Sequence, residues 1–151
     1  FHLTSSGSRL HCDVSRVSVQ AAGQGAVHLN FGRYVCIEAL NSQDGKDLAC
    51  IAEIYFLDKD GSRLSREPWI VKYADSEDVA HVNRSADKTF DLQESTYWST
   101  EKGSPYPHTI VIDLGASHAL TGFQCLPRME SEVPGGIKDF KIYVKGENFK
   151  Y

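Results

Sequence analysis

The hydrophobic positions of the chain come in short runs separated by polar turn residues, and helical periodicity is weak throughout. Short β-rich runs of this kind are typical of an all-β sandwich. The pattern predicts strands at residues 33–40, 49–57, 69–73, 109–114, 120–126 and 140–144, with weaker candidates at 17–19 and 27–29.

Individual segments add detail to this prediction. The run TIVIDL at residues 109–114 is almost continuously apolar, which predicts a strand buried on both faces. Residues 140–144 alternate, so one face of that strand is apolar and the other is polar. The sequence DKDG at 58–61 predicts a tight turn, and residues 85–90 predict one turn of helix.

The length and composition indicate an ordinary globular domain. The 151 residues are 41% hydrophobic and 24% charged, which suits one domain with its own core. We find no internal repeat or linker, so residues 1–151 are predicted to form a single domain. The chain begins at Phe1 and its one methionine is Met129, which favours a fragment of a larger protein.

The charge and the motifs exclude several functions. The net charge is −4 and there is no run of Lys and Arg, which argues against nucleic-acid binding. No apolar run approaches the ~20 residues that span a bilayer. GxSxG, P-loop, GxGxxG and HExxH motifs are absent. A binding module is therefore favoured over an enzyme.

Four cysteines allow two disulfides with three connectivities. No CxxC pair is present, which argues against structural zinc. Cys36 and Cys125 lie inside strand-like runs, and buried thiols are favoured over disulfides.

Four elements between residues 91 and 143 carry a family resemblance. An acidic turn leads from Asp91 to Thr96, Tyr97 and Trp98. Asp-Leu-Gly at 113–115, Pro-Arg at 127–128 and IKDFKIY at 137–143 follow in order. Together they resemble the discoidin domain, also called the coagulation factor 5/8 type C domain. The resemblance implies a galactose-binding-like β-sandwich of jelly-roll type that binds ligands through loops at one end.

The order of the strands departs from the family pattern. Arg-Tyr-Val at 33–35 and Ala-Glu-Ile at 52–54 resemble the last strands of a discoidin domain, yet they precede Trp98. Either the strand order is permuted, or the chain is a long-tailed variant that lacks its own last strands. Permutation is favoured, because a sandwich without its last strands would expose a sheet edge.

The resemblance implies a function for the domain. Such domains are similar to family 32 carbohydrate-binding modules of secreted bacterial glycoside hydrolases, and the details here look most like a chitobiase or hexosaminidase accessory domain. We therefore expect a non-catalytic module in a secreted, periplasmic or cell-surface bacterial protein. Its partners are the terminal sugar of a polysaccharide or glycoprotein and the parent catalytic domain in cis. The alternative is a protein-interaction or interdomain packing module without a sugar site, and an independent hydrolase is least favoured.

The predicted carbohydrate-binding residues are Trp98, Tyr106, Arg128 and Glu130. An aromatic ring can stack on a sugar face, although Trp98 also suits the core and Tyr106 also suits a surface turn. The guanidinium of Arg128 offers fixed donors for vicinal hydroxyls, and Glu130 could accept from the same sugar. The loop lacks the Asn that the family often places there. The alternative for Arg128 is a structural ion pair with an aspartate, either Asp113 or Asp139.

The resemblance also implies a structural Ca²⁺ that ties a loop to a strand. Its predicted ligands are oxygen atoms, as a hard cation requires. They belong to Glu53, Lys88, Asp91, Gln93 and Thr96, with Lys88 and Gln93 contributing backbone carbonyls. The usual Gly after the aspartate is Leu92, and a usual second acid is Gln93. Without calcium, Asp91 is expected to cap a turn and Glu53 to form a salt bridge.

Overall fold

The computed structural model describes residues 10–12, 19–21, 30–127 and 136–151, with side chains from residue 31 onward. Within these ranges the chain is built from strands and one short 3-10 helix, Ala86–Phe90. The strands are β1 (Leu10–Cys12), β2 (Val19–Ala21), β3 (Asn30–Ser42), β4 (Cys50–Ile51), β5 (Glu53–Leu57), β6 (Ile70–Ala74), β7 (Trp98–Ser99), β8 (His108–Leu120), β9 (Gly122–Leu126) and β10 (Ile137–Lys145). The predicted all-β class is confirmed.

The strands form one large antiparallel sheet and two small ones. The large sheet has the order β2-β1-β10-β3-β8-β6, and the small sheets are the pairs β4–β7 and β5–β9. At the centre of the large sheet, Ile37 of β3 lies opposite Ile142 of β10 on one side and Ile110 of β8 on the other. One continuous core cluster contains side chains from the large sheet and from both small sheets, which is the arrangement of a β-sandwich.

Aromatic rings fill much of this core. Phe123 of β9 lies 5.7 Å from Phe56 of β5 and 5.6 Å from Phe140 of β10, measured between ring centroids. Trp69 packs against Phe56 at 5.4 Å. In β10 the alternation predicted from the sequence is observed, because Phe140 and Val144 are buried while their neighbours are more exposed. The apolar faces of the two layers therefore meet as the pattern requires.

The upstream strands belong to the same sheets as the downstream ones. β3 lies between β8 and β10, and β5 pairs with β9 from Glu53 opposite Leu126 to Leu57 opposite Gly122. Without β3, the two strands β8 and β10 would each lose a neighbour. The pairing is the one that a permuted strand order predicts.

The largest differences from the predicted bounds occur at the runs 49–57 and 109–114. The run at 49–57 is interrupted at Ala52, whose N–H donates to the carbonyl of Leu126, so it forms β4 and β5. β8 continues beyond Leu114 to Leu120, because Gly115 at φ 86° allows the chain to bend without leaving the sheet. The candidate strand at 27–29 lies outside the described residues, and the strand expected at 17–19 begins only at Val19.

Gly115 also explains the glycine of the Asp-Leu-Gly motif. A Cβ atom here would lie 2.9 Å from Cβ of Pro68. We therefore expect Gly115→Ala to lower the free energy of unfolding by about 2 kcal/mol, from left-handed strain plus a clash with a rigid ring. Urea denaturation measures this, with Gly45→Ala as the control. Gly45 has φ 74° and nothing within 4 Å of a Cβ, so equal losses in the two variants would refute the clash.

The cysteines with described side chains are buried. Cys36 and Cys125 are 0% and 4% exposed, and the thiol of Cys50 donates to the hydroxyl of Ser99. Burial raises the pKa of the Cys36 thiol well above its usual range. The expected buried thiols are therefore present at these three positions, while the side chain of Cys12 lies outside the described residues. No described helix has the length and apolar character needed to cross a bilayer.

Candidate functional site

Two loops and the residue that precedes β10 come together at one end of the sandwich. β3 ends at Ser42, opposite Ile137 at the start of β10, so the loop 43–48 begins beside Gly136. The N–H of Gln43 donates to the carbonyl of Gly136 at 2.7 Å, and the N–H of Gly103 donates to the carbonyl of Asp47 at 3.1 Å. We call residues 43–48, 101–107 and 136 the loop end. Residues 128–135, which include Arg128 and Glu130, precede Gly136 in the sequence.

Tyr106 is half-buried within the loop end. Its hydroxyl donates to the carbonyl of Leu48, and its ring meets the ring of His108 edge-on at 4.6 Å. Burial raises the pKa of the hydroxyl above its usual range. The ring therefore braces two loops and offers a partly exposed surface rather than a free platform.

His108 fixes the loop 101–107 to the large sheet. Its ring is fully buried, with Nδ1 2.8 Å from Asp75 Oδ2 and Nε2 2.9 Å from the carbonyl of Ser104. The other oxygen of Asp75 accepts the N–H of Thr109. The loop is thus held in one position by a buried polar network, which favours a rigid binding surface.

Trp98 belongs to the core. It is 1% exposed, and its indole N–H donates to the carbonyl of Ser76 at 2.9 Å. No ring face is left for a sugar, so the core alternative is the one that the structure shows. Of the two aromatic residues predicted to stack on a sugar, Tyr106 is the one with exposed surface.

Arg128 and Glu130 lie outside the described residues. The two aspartates considered as partners of Arg128 have other partners. Asp113 accepts two hydrogen bonds from Arg33, at 2.8 and 3.0 Å, and this arginine holds the pKa of Asp113 below its usual range. Asp139 accepts from the amide of Asn41.

The residues predicted to bind calcium lie in a second place, where the turn after the 3-10 helix meets β5. Glu53 is 0% exposed, and its Oε1 accepts a hydrogen bond from Nη1 of Arg66 at 2.8 Å. Its other oxygen, Oε2, is buried and has no hydrogen-bond partner among the described residues. The expected salt bridge is therefore present, but it uses half of the carboxylate.

The turn at 91–96 brings further oxygens together. Asp91 Oδ1 accepts the N–H of Gln93 at 3.0 Å, which is the turn-capping role considered from the sequence. The Thr96 hydroxyl lies within hydrogen-bonding distance of Asp91 Oδ2 and 3.0 Å from the carbonyl of Gln93. Leu92 has φ 67°, a left-handed conformation uncommon for a bulky residue. That conformation explains why the family pattern has Gly there.

The charges around Glu53 influence its protonation. Burial raises the pKa of Glu53 to about 7, the guanidinium of Arg66 opposes the rise, and Asp91 and Glu94 add to it. The side-chain ammonium of Lys88 lies 4.0 Å from the carboxylate of Asp87. In the part of the chain that the structure describes, no three His, Cys, Asp or Glu side chains form a metal-binding group. Glu53 and Asp91 are the two acids of the predicted set.

Comparison with known proteins identifies the family. The profile of the F5/8 type C domain matches residues 72–151, which is more than half of the chain. A sialidase of Micromonospora viridifaciens is 34% identical over 73 residues, covering 46% of this chain and 11% of the sialidase. A galactose oxidase of Gibberella zeae is 30% identical over 91 residues, covering 58% of this chain and 13% of the oxidase. The chain thus spans a small part of each relative, and it belongs to the F5/8 type C, or discoidin, domain family.

Proposed function

We propose that this domain is a non-catalytic carbohydrate-binding module that holds a catalytic domain near its glycan substrate. The observation that carries the proposal is the loop end, where loops 43–48 and 101–107 and residue Gly136 are hydrogen-bonded into one surface. Both relatives are named as enzymes acting on sugars, and each is matched over a short stretch. A short sugar-binding appendage of a larger enzyme accounts for that pattern.

Sugar binding at this end relies on polar contacts with one aromatic edge. The guanidinium of Arg128 carries donors that suit neighbouring hydroxyls, and the carboxylate of Glu130 suits acceptance of a hydrogen bond from the same sugar. The half-buried ring of Tyr106 supplies the apolar contact. A shallow site of this kind binds weakly, and tethering to a catalytic domain raises the effective sugar concentration.

A glycan array tests the proposal, followed by titration of the best sugar against variants. We expect Arg128→Ala to weaken binding at least tenfold, because it removes charged hydrogen bonds to the ligand. Lys59→Ala is the matched control. Lys59 is an exposed cation in the turn joined to β5 and β9 at the opposite end of the sandwich, and its variant should bind as the wild type does.

A blank array with folded protein would overturn the sugar site and favour a protein-interaction module. One observation supports that second candidate. Val79 and Val82 are 56% and 54% exposed in a single loop, which is closed by the hydrogen bond from the N–H of Arg84 to the carbonyl of Asp78. Two exposed valines on an ordered loop suit contact with a neighbouring domain. Binding of the parent catalytic domain would establish a protein-interaction module, provided that the double variant Val79→Ser, Val82→Ser weakens that binding.

The parent protein fits a secreted or cell-surface bacterial glycoside hydrolase of the chitobiase or hexosaminidase type. In that setting the module binds the terminal sugar of a polysaccharide or glycoprotein, and the parent catalytic domain is its partner in cis. The domain itself carries out no chemistry, so a chromogenic glycoside should not be turned over by the isolated chain. Turnover that survives purification to homogeneity would contradict this assignment.

Calcium is the cofactor that suits the region where the turn at 91–96 meets β5. The buried, unpartnered Oε2 of Glu53 suits a cation, and the oxygens of Asp91, Thr96 and the Gln93 carbonyl lie close to one another. Lys88 completes the set with its backbone carbonyl. The ion would neutralise negative charge on Glu53 and Asp91, and it would join the turn to β5.

A further inference from the structure

We propose that Arg66 is a built-in cation that shares Glu53 with the calcium ion and joins the turn region to β5 when the metal is absent. Its role toward the ion rests on the proposed calcium site, whereas its role in the metal-free protein does not. The expected consequence is a domain whose fold depends little on calcium.

The contacts of Arg66 join β5 to the 3-10 helix, which leads into the turn that a calcium ion would join to β5. Nη1 donates to Glu53 Oε1 at 2.8 Å and lies 3.4 Å from the carbonyl of Ile54, both in β5. It also lies 3.3 Å from the carbonyl of Thr89 in the 3-10 helix. One nitrogen thus reaches β5 and the segment that leads into the turn at 91–96.

Stacking holds the guanidinium in place. Its central carbon lies 4.1 Å from the centre of the Tyr55 ring, and the residue is 9% exposed. A guanidinium over an aromatic face is stabilised electrostatically, and burial strengthens that attraction. Arg66 is therefore a fixed part of the site rather than a mobile surface side chain.

The charge balance explains the sharing. Glu53 is buried near Asp91 and Glu94, and the guanidinium of Arg66 favours its ionised form. The guanidinium engages Oε1 only, so Oε2 stays available to a second cation. Because Arg66 already neutralises part of the negative charge and repels another cation, the ion gains less from Glu53 than it would from a free carboxylate.

Thermal unfolding of Arg66→Gln, with EDTA and with saturating CaCl₂ at pH 8, tests the proposal. In EDTA we expect Tm to fall by roughly 5–10 °C, and amides of residues 86–96 to exchange hydrogen faster. Calcium should raise the Tm of this variant at least twice as much as that of the wild type. Calorimetric titration should show calcium affinity increased by about tenfold.

Arg63→Gln is the matched control. Arg63 stacks on the same Tyr55 ring at 3.7 Å, but it is exposed and bonds Gln124. Its loss should leave both the calcium-induced shift and exchange of residues 86–96 unchanged. If Arg66→Gln does not fold, Arg66→Lys is the second variant. It keeps the positive charge but loses the planar arrangement of guanidinium donors. Its calcium affinity should stay within about twofold of the wild type, and a tenfold rise would contradict the electrostatic sharing.

The outcomes separate the two proposals. An equal calcium-induced shift in Arg66→Gln and the wild type overturns the sharing. Absence of calcium binding in the wild type and in Arg66→Gln overturns the metal site, and the sharing falls with it. The EDTA measurements then still decide whether Arg66 joins the turn region to β5, and an unchanged Tm and exchange pattern would overturn that role too.

Discussion

Replacing Trp98 with alanine should lower the free energy of unfolding by about 4 kcal/mol, because a large buried ring leaves a cavity in the core. Trp98 is 1% exposed and belongs to the main core cluster. The variant also leaves the carbonyl of Ser76 without its indole donor. For a domain of this size the loss corresponds to a fall in Tm of roughly 10 °C. Urea and thermal denaturation followed by circular dichroism give both values.

Two variants separate a core role from a ligand role at this position. Trp98→Phe keeps most of the apolar ring, so we expect a loss of about 2 kcal/mol and unchanged glycan affinity well below the Tm. Tyr106→Phe removes the hydroxyl bonded to the Leu48 carbonyl, and about 1 kcal/mol should be lost. If Trp98→Phe abolished sugar binding while the protein stayed fully folded, the assignment of Trp98 to the core would be wrong.

The calcium-free protein should lose stability as the pH rises from about 5 to about 8. The pKa of Glu53 is about 7 in the folded protein and near its ordinary value of 4.5 in the unfolded chain. Between these values the folded state binds more protons, so the free energy of unfolding falls with pH. Glu53 alone accounts for roughly 3 kcal/mol of this change. Urea denaturation in EDTA at several pH values measures it.

Glu53→Gln isolates the contribution of this carboxylate. The amide can still accept the hydrogen bond from Arg66 but does not ionise, so the extra loss of stability above pH 5 should disappear. Saturating calcium should oppose the loss in the wild type and have no effect in the variant. Identical pH profiles for the two proteins would show that Glu53 does not ionise in this range, and equal calcium responses would exclude it as a ligand.

The periodicity of the sequence was sufficient to predict most strands of the sandwich. Continuous apolar character identified the centre of β8, and alternation identified β10, because burial on two faces or one face leaves these signatures. The periodicity could not show that β3 lies between β8 and β10. Partner choice depends on the whole arrangement of strands, and only the family resemblance indicated it.

The site was less predictable for a physical reason. Glu53 was considered because it lies in a familiar Ala-Glu-Ile stretch, but Arg66 lies in a polar segment where nothing local indicates burial. Its environment is created by Tyr55 and by the carbonyl of Thr89, which are distant in sequence. The contact between His108 and Asp75 was missed for the same reason. The choice at Trp98 needed the structure, since tryptophan suits both a core and a sugar platform.

The position of β3 has a consequence for how this domain is made. Its neighbours in the large sheet begin at His108 and Ile137, far downstream in the chain. During synthesis, β3 therefore emerges with both edges unpaired. Its two neighbouring strands are made only after most of the domain has been synthesised. Sheets with such distant pairings fold slowly, in milliseconds to seconds, and open edges invite association between nascent chains.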